Sequence, residues 1–144
     1  MKVCTFFGHR DCPTSIKPHL RSVLIDLIDN HDIDTFYLGN QGNFDRLAYT
    51  VLHELSQKYS NIKYTIVFAY LPSSPSLFSA TNTLLPEGIE NIPPRFAVVR
   101  RNNWMLDKAD LVVSYVDYSY GGAAKFTDIA RQKKKIVINL AEQI

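Results

Sequence analysis

Short apolar runs alternate along this chain with longer stretches in which apolar residues recur every three or four positions. Those are the rhythms of buried strands and amphipathic helices. Lys2 to Phe7 predicts a first strand ending at Gly8-His9-Arg10. Ser15 suits a helix N-cap, and Pro18 falls in the first turn, where its missing N–H costs least. Leu20, Val23, Leu24, Leu27 and Ile28 then form one helical stripe ending near His31. Asp34 to Leu38 predicts a second strand, and Phe44, Leu47, Ala48, Val51, Leu52 and Leu55 a second helix running to about Tyr59. Lys63 to Ala69, rich in Ile, Val, Tyr and Phe, predicts a third strand. Pro94 opens a helix carrying Arg100, Arg101, Trp104, Met105, Leu106 and Lys108, followed by a fourth strand over Leu111 to Val116. Ala123 to Lys133, with Phe126, Ile129 and Ala130 inward, predicts the last helix, and Ile136 to Leu140 a fifth strand. Between Tyr70 and Pro94 the rhythm lapses among prolines, serines and asparagines. That stretch predicts a long loop, either a flap beside a site or an irregular surface excursion.

Strands alternating with helices imply right-handed crossovers and a parallel sheet between helical layers. The expected fold is α/β: a three-layer αβα Rossmann-like domain over residues 1–144, with a mostly parallel five-stranded sheet in the order 3-2-1-4-5. In such a sheet ligands bind at the carboxyl ends of the strands, where the winding reverses, here between the first and fourth strands. With 144 residues and 46% hydrophobic content, the chain can bury one sizeable core. Charged residues make up 21% and the net charge is only +2, so no strong field argues for nucleic acid or a membrane surface. No apolar run approaches the roughly 20 residues of a membrane span. Cys4 and Cys12 do not make a disulfide framework, and no signal-peptide pattern precedes the first strand, so a cytoplasmic location is expected.

Candidate chemistry gathers at the carboxyl ends. Phe36-Tyr37-Leu38-Gly39-Asn40-Gln41-Gly42-Asn43-Phe44-Asp45 is a strand, a glycine-bearing turn and a helix start. Free backbone N–H groups and a helix dipole there suit a phosphate, although a tight turn can need glycine for steric reasons alone. Asp117-Tyr118-Ser119-Tyr120-Gly121-Gly122 is a second turn of this kind, and Gly8 closes the first strand. Arg10 is placed to clamp a phosphate, or to pair with a neighbour such as Asp11. Arg101 points back toward the upper edge of the sheet, while Arg100, 100° around the helix, is expected in solvent. Asp45 suits a ribose hydroxyl, a loop amide or simply a helix's first turn. Asp128, one turn into the last helix, is either a carboxylate near a sugar or a solvated helix acid. His9 and Cys12 lack the CxxC or HxxxH partners of a metal site, and neither a metal nor a cofactor is expected. Trp104 and Met105 read as core, and Arg131 with Lys133 to Lys135 as the cationic end of a helix or, alternatively, a nucleic-acid patch.

Taken together, Cys4-Thr5-Phe6-Phe7-Gly8-His9-Arg10, Gly39-Asn40-Gln41-Gly42-Asn43-Phe44-Asp45, Arg101-Asn102-Asn103-Trp104-Met105 with Ala109-Asp110, and Gly121-Gly122-Ala123 resemble the SLOG superfamily, most closely its YpsA-like bacterial branch. The resemblance implies a pocket for a nucleotide or nucleotide-derived sugar, use as a sensor, and homodimers. Ligand contacts are expected from Gly8, His9, Arg10, Gly39, Asn40, Gly42, Asp45, Arg101, Gly121 and Gly122. The Lonely Guy-type enzymes of the superfamily are similar at Arg101 and at Gly121-Gly122, which implies a nucleotide N-glycoside hydrolase as an alternative, with Asp128 as the catalytic carboxylate. Their motif continues with Gly-Thr and a Glu, where this chain has Ala124, Lys125 and Asp128. The DprA branch is similar at Gly8-His9-Arg10 and Gly42-Asn43-Phe44-Asp45, and implies single-stranded DNA as a further alternative partner. The near-neutral charge argues against an extended basic groove.

Overall fold

The computed structural model describes residues 1–70 and 82–142. Strands β1 (Val3–Gly8), β2 (Thr35–Leu38), β3 (Lys63–Val67), β4 (Thr83–Leu84), β5 (Leu111–Tyr115) and β6 (Ile136–Asn139) make one parallel sheet in the order β4-β3-β2-β1-β5-β6. Helices α1 (Lys17–His31) and α2 (Asn43–Ser56) cover one face, and α3 (Pro94–Lys108) and α4 (Gly122–Gln132) the other. This is the three-layer Rossmann-like arrangement expected from the alternation.

Successive side chains on a strand point to opposite faces, and β1 divides its residues accordingly. Phe6 enters the α1/α2 layer, its ring 6.2 Å from that of Phe36 and 6.3 Å from that of Phe44. Phe7 enters the other layer and stacks on Phe126 at 5.5 Å. The largest fully buried side chains, among them Phe36, Phe44, Leu24, Leu38 and Leu52, lie in the first layer, with Phe126 as the exception. Each such side chain contributes about 1.5–3 kcal/mol on burial. Most of the apolar stabilisation therefore sits under α1 and α2, and the α3/α4 layer can leave space open at its upper end.

The sheet has six strands where five were expected. Thr83–Leu84 pairs in parallel with the end of β3, Ile66 with Thr83 and Val67 with Leu84, so part of the supposed loop is an edge strand. Two residues followed closely by Pro86 are too short for any periodicity to announce them. A single 3-10 turn follows at Ile89–Asn91. The remainder of the expected flap, residues 71–81, lies outside the described residues. Helix starts and ends also move by a few residues. A 3-10 turn at Thr14–Ile16 precedes α1, so Ile16 rather than Ser15 occupies the N-cap, and α2 ends at Ser56 rather than near Tyr59. Among the described residues no helix is long and apolar enough to cross a membrane.

Candidate functional site

The winding of the sheet reverses between β1 and β5, and a cavity of about 550 Å³ lies over their carboxyl ends. Its walls come from four places in the chain. Phe6 to Asp11 supply the end of β1, Gln41 and Asp45 the start of α2, Val98, Arg101, Asn102 and Met105 one side of α3, and Tyr118 with Tyr120 to Ala123 the turn into α4. The volume suits a small organic ligand.

Arg101 is the most heavily engaged polar group in the wall. It is 3% exposed, and it donates from Nη1 to the Val67 carbonyl at 3.0 Å and to Asn40 Oδ1 at 3.5 Å, and from Nε to Asn102 Oδ1 at 2.8 Å. Those bonds fix the guanidinium in place. Asp45 is buried beside it, with Oδ2 accepting the Gln41 amide at 2.9 Å. A Cβ on Gly39 would lie 2.8 Å from Asp45 Oδ2 and 2.9 Å from Arg101 Nη1, so the two charged groups close over the bare α-carbon of that glycine. Burial pushes the Asp45 carboxyl up to about 6, against the opposing pull of Arg101, the Gln41 amide and Arg10. Burial likewise lowers the affinity of Arg101 for its proton, and the charge of Asp45 restores part of it.

The glycine-bearing turns have opposite uses. At the start of α2, Gly42 has φ 90°, and a Cβ there would strike the Arg10 backbone at 2.6 Å. The Asn43 amide donates to the Arg10 carbonyl at 2.9 Å, and the Asn43 side chain donates to the Cys12 carbonyl at 2.6 Å. The protein's own β1–α1 loop thus occupies the first turn of this helix. Gly8 is similarly committed: a Cβ would fall on the Phe44 ring. At α4, by contrast, Gly121 has φ 93° and nothing lies within 4 Å of a Cβ on Gly121 or Gly122. The first helical bond runs from the Lys125 amide to the Gly121 carbonyl, so the preceding amides, at Gly122 and Ala123 in the cavity wall, are the free donors of a helix N-terminus.

His9 holds the turn that leads to those amides. Its Nε2 accepts from the Asp117 and Tyr118 backbone N–H groups at 3.0 and 3.4 Å. An accepting nitrogen carries no proton, so the ring is neutral with its hydrogen on Nδ1. Burial lowers its pKa, outweighing the attraction of Asp11 and Asp117. The ring also lies parallel to that of Tyr118 at 3.5 Å, and the Tyr118 hydroxyl donates to Asp11 Oδ1 at 3.0 Å.

Of the residues expected from sequence, Gly8, His9, Arg10, Asp45, Arg101, Gly121 and Gly122 line the cavity. Gly39 and Gly42 stand behind its wall as points of close approach, and Asn40 reaches the site through its bond to Arg101. Asp128 stands apart. It is exposed on α4 and pairs with Arg131 at 3.4 Å, one turn further along the same outer face. Of its two readings from sequence, a carboxylate near a sugar or a solvated helix acid, this placement fits the second. Arg100 is exposed and Met105 buried, as expected, whereas Trp104 is half-buried with its ring edge-on to Tyr37. The basic run is partly neutralised within the protein: Arg131 also pairs with Glu142 at 3.5 Å and Lys133 with Asp107 at 3.2 Å. Tyr118 and Tyr120 were not among the expected site residues. The signal for them is two aromatics in a polar turn immediately before a glycine pair at a strand's carboxyl end. No known protein-family model matches this chain, and no curated protein matches it.

Proposed function

We propose that the protein binds a nucleotide or nucleotide-derived ligand in the cavity at the carboxyl-end rim, in the manner its SLOG-like and YpsA-like sequence features imply. The observation that carries this reading is the open N-terminus of α4. Its first residues, whose amides have no partner among the described residues, line the cavity that also holds the buried Arg101 and Asp45 and the exposed Arg10. A phosphate at the Gly121-Gly122 turn would meet backbone donors and the positive end of a helix, with Arg10 and Arg101 as nearby cations. The Asp45 carboxyl, with Oδ2 on the Gln41 amide, keeps Oδ1 to receive a sugar hydroxyl. Buried, unpaired Cys4 and Cys12 fit a reducing cytoplasm.

The test is a thermal-shift panel of nucleoside phosphates, ADP-ribose and NAD. A bound ligand at a hundred times its Kd stabilises by about 2.7 kcal/mol. Gly122→Asp places a carboxylate in open space at the helix start, where an acid is tolerated, and competes with phosphate for the same amides. We expect Gly122→Asp to melt like the parent without ligand and to lose the ligand-induced shift. No shift of the parent with any of the panel would overturn the proposal.

Asp45 favours a second reading as a nucleotide N-glycoside hydrolase. It is a buried carboxyl in the cavity that stays protonated to about pH 6, whereas Asp128 faces away. The leaving base would take the proton from Asp45 as its bond to the sugar carbon breaks, and water adding to that carbon would return a proton to the Asp45 carboxylate. Chromatography for free base after incubation with nucleoside monophosphates decides it; turnover that persists in Asp45→Asn would exclude that role.

A further inference from the structure

We propose that the Tyr120 ring is the platform on which a planar aromatic base stacks, so that the cavity takes base-bearing nucleotides in preference to bare sugar phosphates. This rests on the nucleotide reading above and adds the group that would tell the two ligand classes apart.

Three rings step outward along this side of the cavity. His9, 4% exposed, is anchored by two backbone amides. Tyr118 lies on it with centroids 3.5 Å apart and planes within 1°, and is tethered by its hydroxyl to Asp11. The Tyr120 ring follows at 4.4 Å from Tyr118, tilted by 31°. The inner rings use their faces on one another. Tyr120 ends the series, 71% exposed, in the cavity wall.

Single exposed aromatics are ordinary on protein surfaces and carry no meaning alone. This one differs in two respects. One of its sides already rests on the anchored Tyr118 ring, so it loses less side-chain freedom than a free aromatic when a ligand ring settles on it. It also directly precedes Gly121-Gly122, so its α-carbon lies within about 7 Å of the first amides of α4, and ring and amides belong to the wall of the same cavity. A π-face and a phosphate cradle side by side in one wall match the two ends of a nucleoside monophosphate. Stacking of this kind tolerates any base, because every base has a π-face. The class is therefore aromatic nucleotides in general, and a particular base would have to be selected elsewhere in the wall.

The experiment measures binding of adenosine 5′-monophosphate and of ribose 5-phosphate, by titration calorimetry, to the parent, Tyr120→Ala and Tyr120→Trp. Tyr120 is exposed, so both variants should fold as the parent does, which circular dichroism verifies. Tyr120→Ala is expected to weaken adenosine 5′-monophosphate about 5- to 100-fold and to leave ribose 5-phosphate unchanged, while Tyr120→Trp holds or improves the nucleotide. Equal nucleotide affinity in Tyr120→Ala and the parent overturns the stacking proposal and leaves the phosphate site standing. Failure of the parent to bind either ligand overturns both readings.

Discussion

Asparagine at position 45 keeps an acceptor for the Gln41 amide and removes a charge, so Asp45→Asn isolates what that charge costs. The carboxyl rises from its ordinary 3.8 to about 6 because burial outweighs Arg101, the Gln41 amide and Arg10 together. A carboxyl whose folded pKa exceeds its unfolded value binds its proton more tightly in the folded chain. Its contribution to stability is complete below the unfolded pKa and is lost as pH rises through about 6. At about 1.36 kcal/mol per tenfold change in proton affinity, the rise from 3.8 to about 6 makes the ionised form cost about 3 kcal/mol at pH 8. The attraction of Arg101 is already inside that figure. For a chain of this length, 1 kcal/mol corresponds to roughly 2–4 °C, so Asp45→Asn should melt roughly 6–12 °C above the parent at pH 8. The gap should shrink steadily below pH 6. Calorimetric melting at pH 8, 6 and 4.5 is the assay. Equal melting at pH 8, or a gap that stays constant down to pH 4.5, would refute the reasoning. A variant that is more stable yet weaker in ligand binding would identify Asp45 as a charge kept for the site at the expense of the fold.

Gly8→Ala drives a methyl into the Phe44 ring and should cost about 1–3 kcal/mol in urea unfolding; Phe44→Leu in the same chain should recover part of it, and additive losses would show that the two positions do not conflict. His9 carries the opposite pH sign to Asp45. Its folded pKa lies below the unfolded value, so its contribution is present above about pH 6.5 and is lost as pH falls through the folded pKa. The stability difference between the parent and His9→Gln should therefore shrink between pH 7 and pH 5, and a difference unaffected by pH would remove the neutral, accepting imidazole from the description.

The sheet, its order and its reversal point were legible because each strand but one is a run long enough to register. Thr83–Leu84 was not legible: two residues held by pairing with Ile66 and Val67 derive their conformation from the neighbouring strand. Helix geometry established that Arg100 and Arg101 would not face one ligand, and the resemblance to the Lonely Guy-type arginine singled out Arg101; the burial of the one against the exposure of the other agrees with that choice. Sequence left Asp128 open between a carboxylate near a sugar and a solvated helix acid, because a position one turn past the glycine pair fixes distance along the helix but not azimuth. Ala124, Phe126, Thr127 and Ala130 claim the inner face, and Asp128 is left outside. The Tyr118–His9 stack was illegible for a different reason, since the two residues are more than a hundred positions apart and meet only when β5 pairs with β1.

The contrast between the glycine turns explains why a fold with two phosphate-suited helix starts would use only one. Both have a glycine at positive φ in the N-cap, at Gly42 and Gly121, so sequence treats them alike. What separates them is the chain beside them. Strand β1 is flanked by β2 and β5, and its outgoing loop must turn toward α1, on the same face as α2. Arg10 and Cys12 therefore pass directly over the start of α2, and their carbonyls take the amide and side chain of Asn43. No such loop crosses α4 among the described residues, because β1 leaves toward the opposite face. The same turn that seals one helix start consequently walls the cavity beside the other, with His9 reaching back to fix the turn before Gly121. The asymmetry of the site is a consequence of the order in which the sheet is wound, which is why its open side lies at α4.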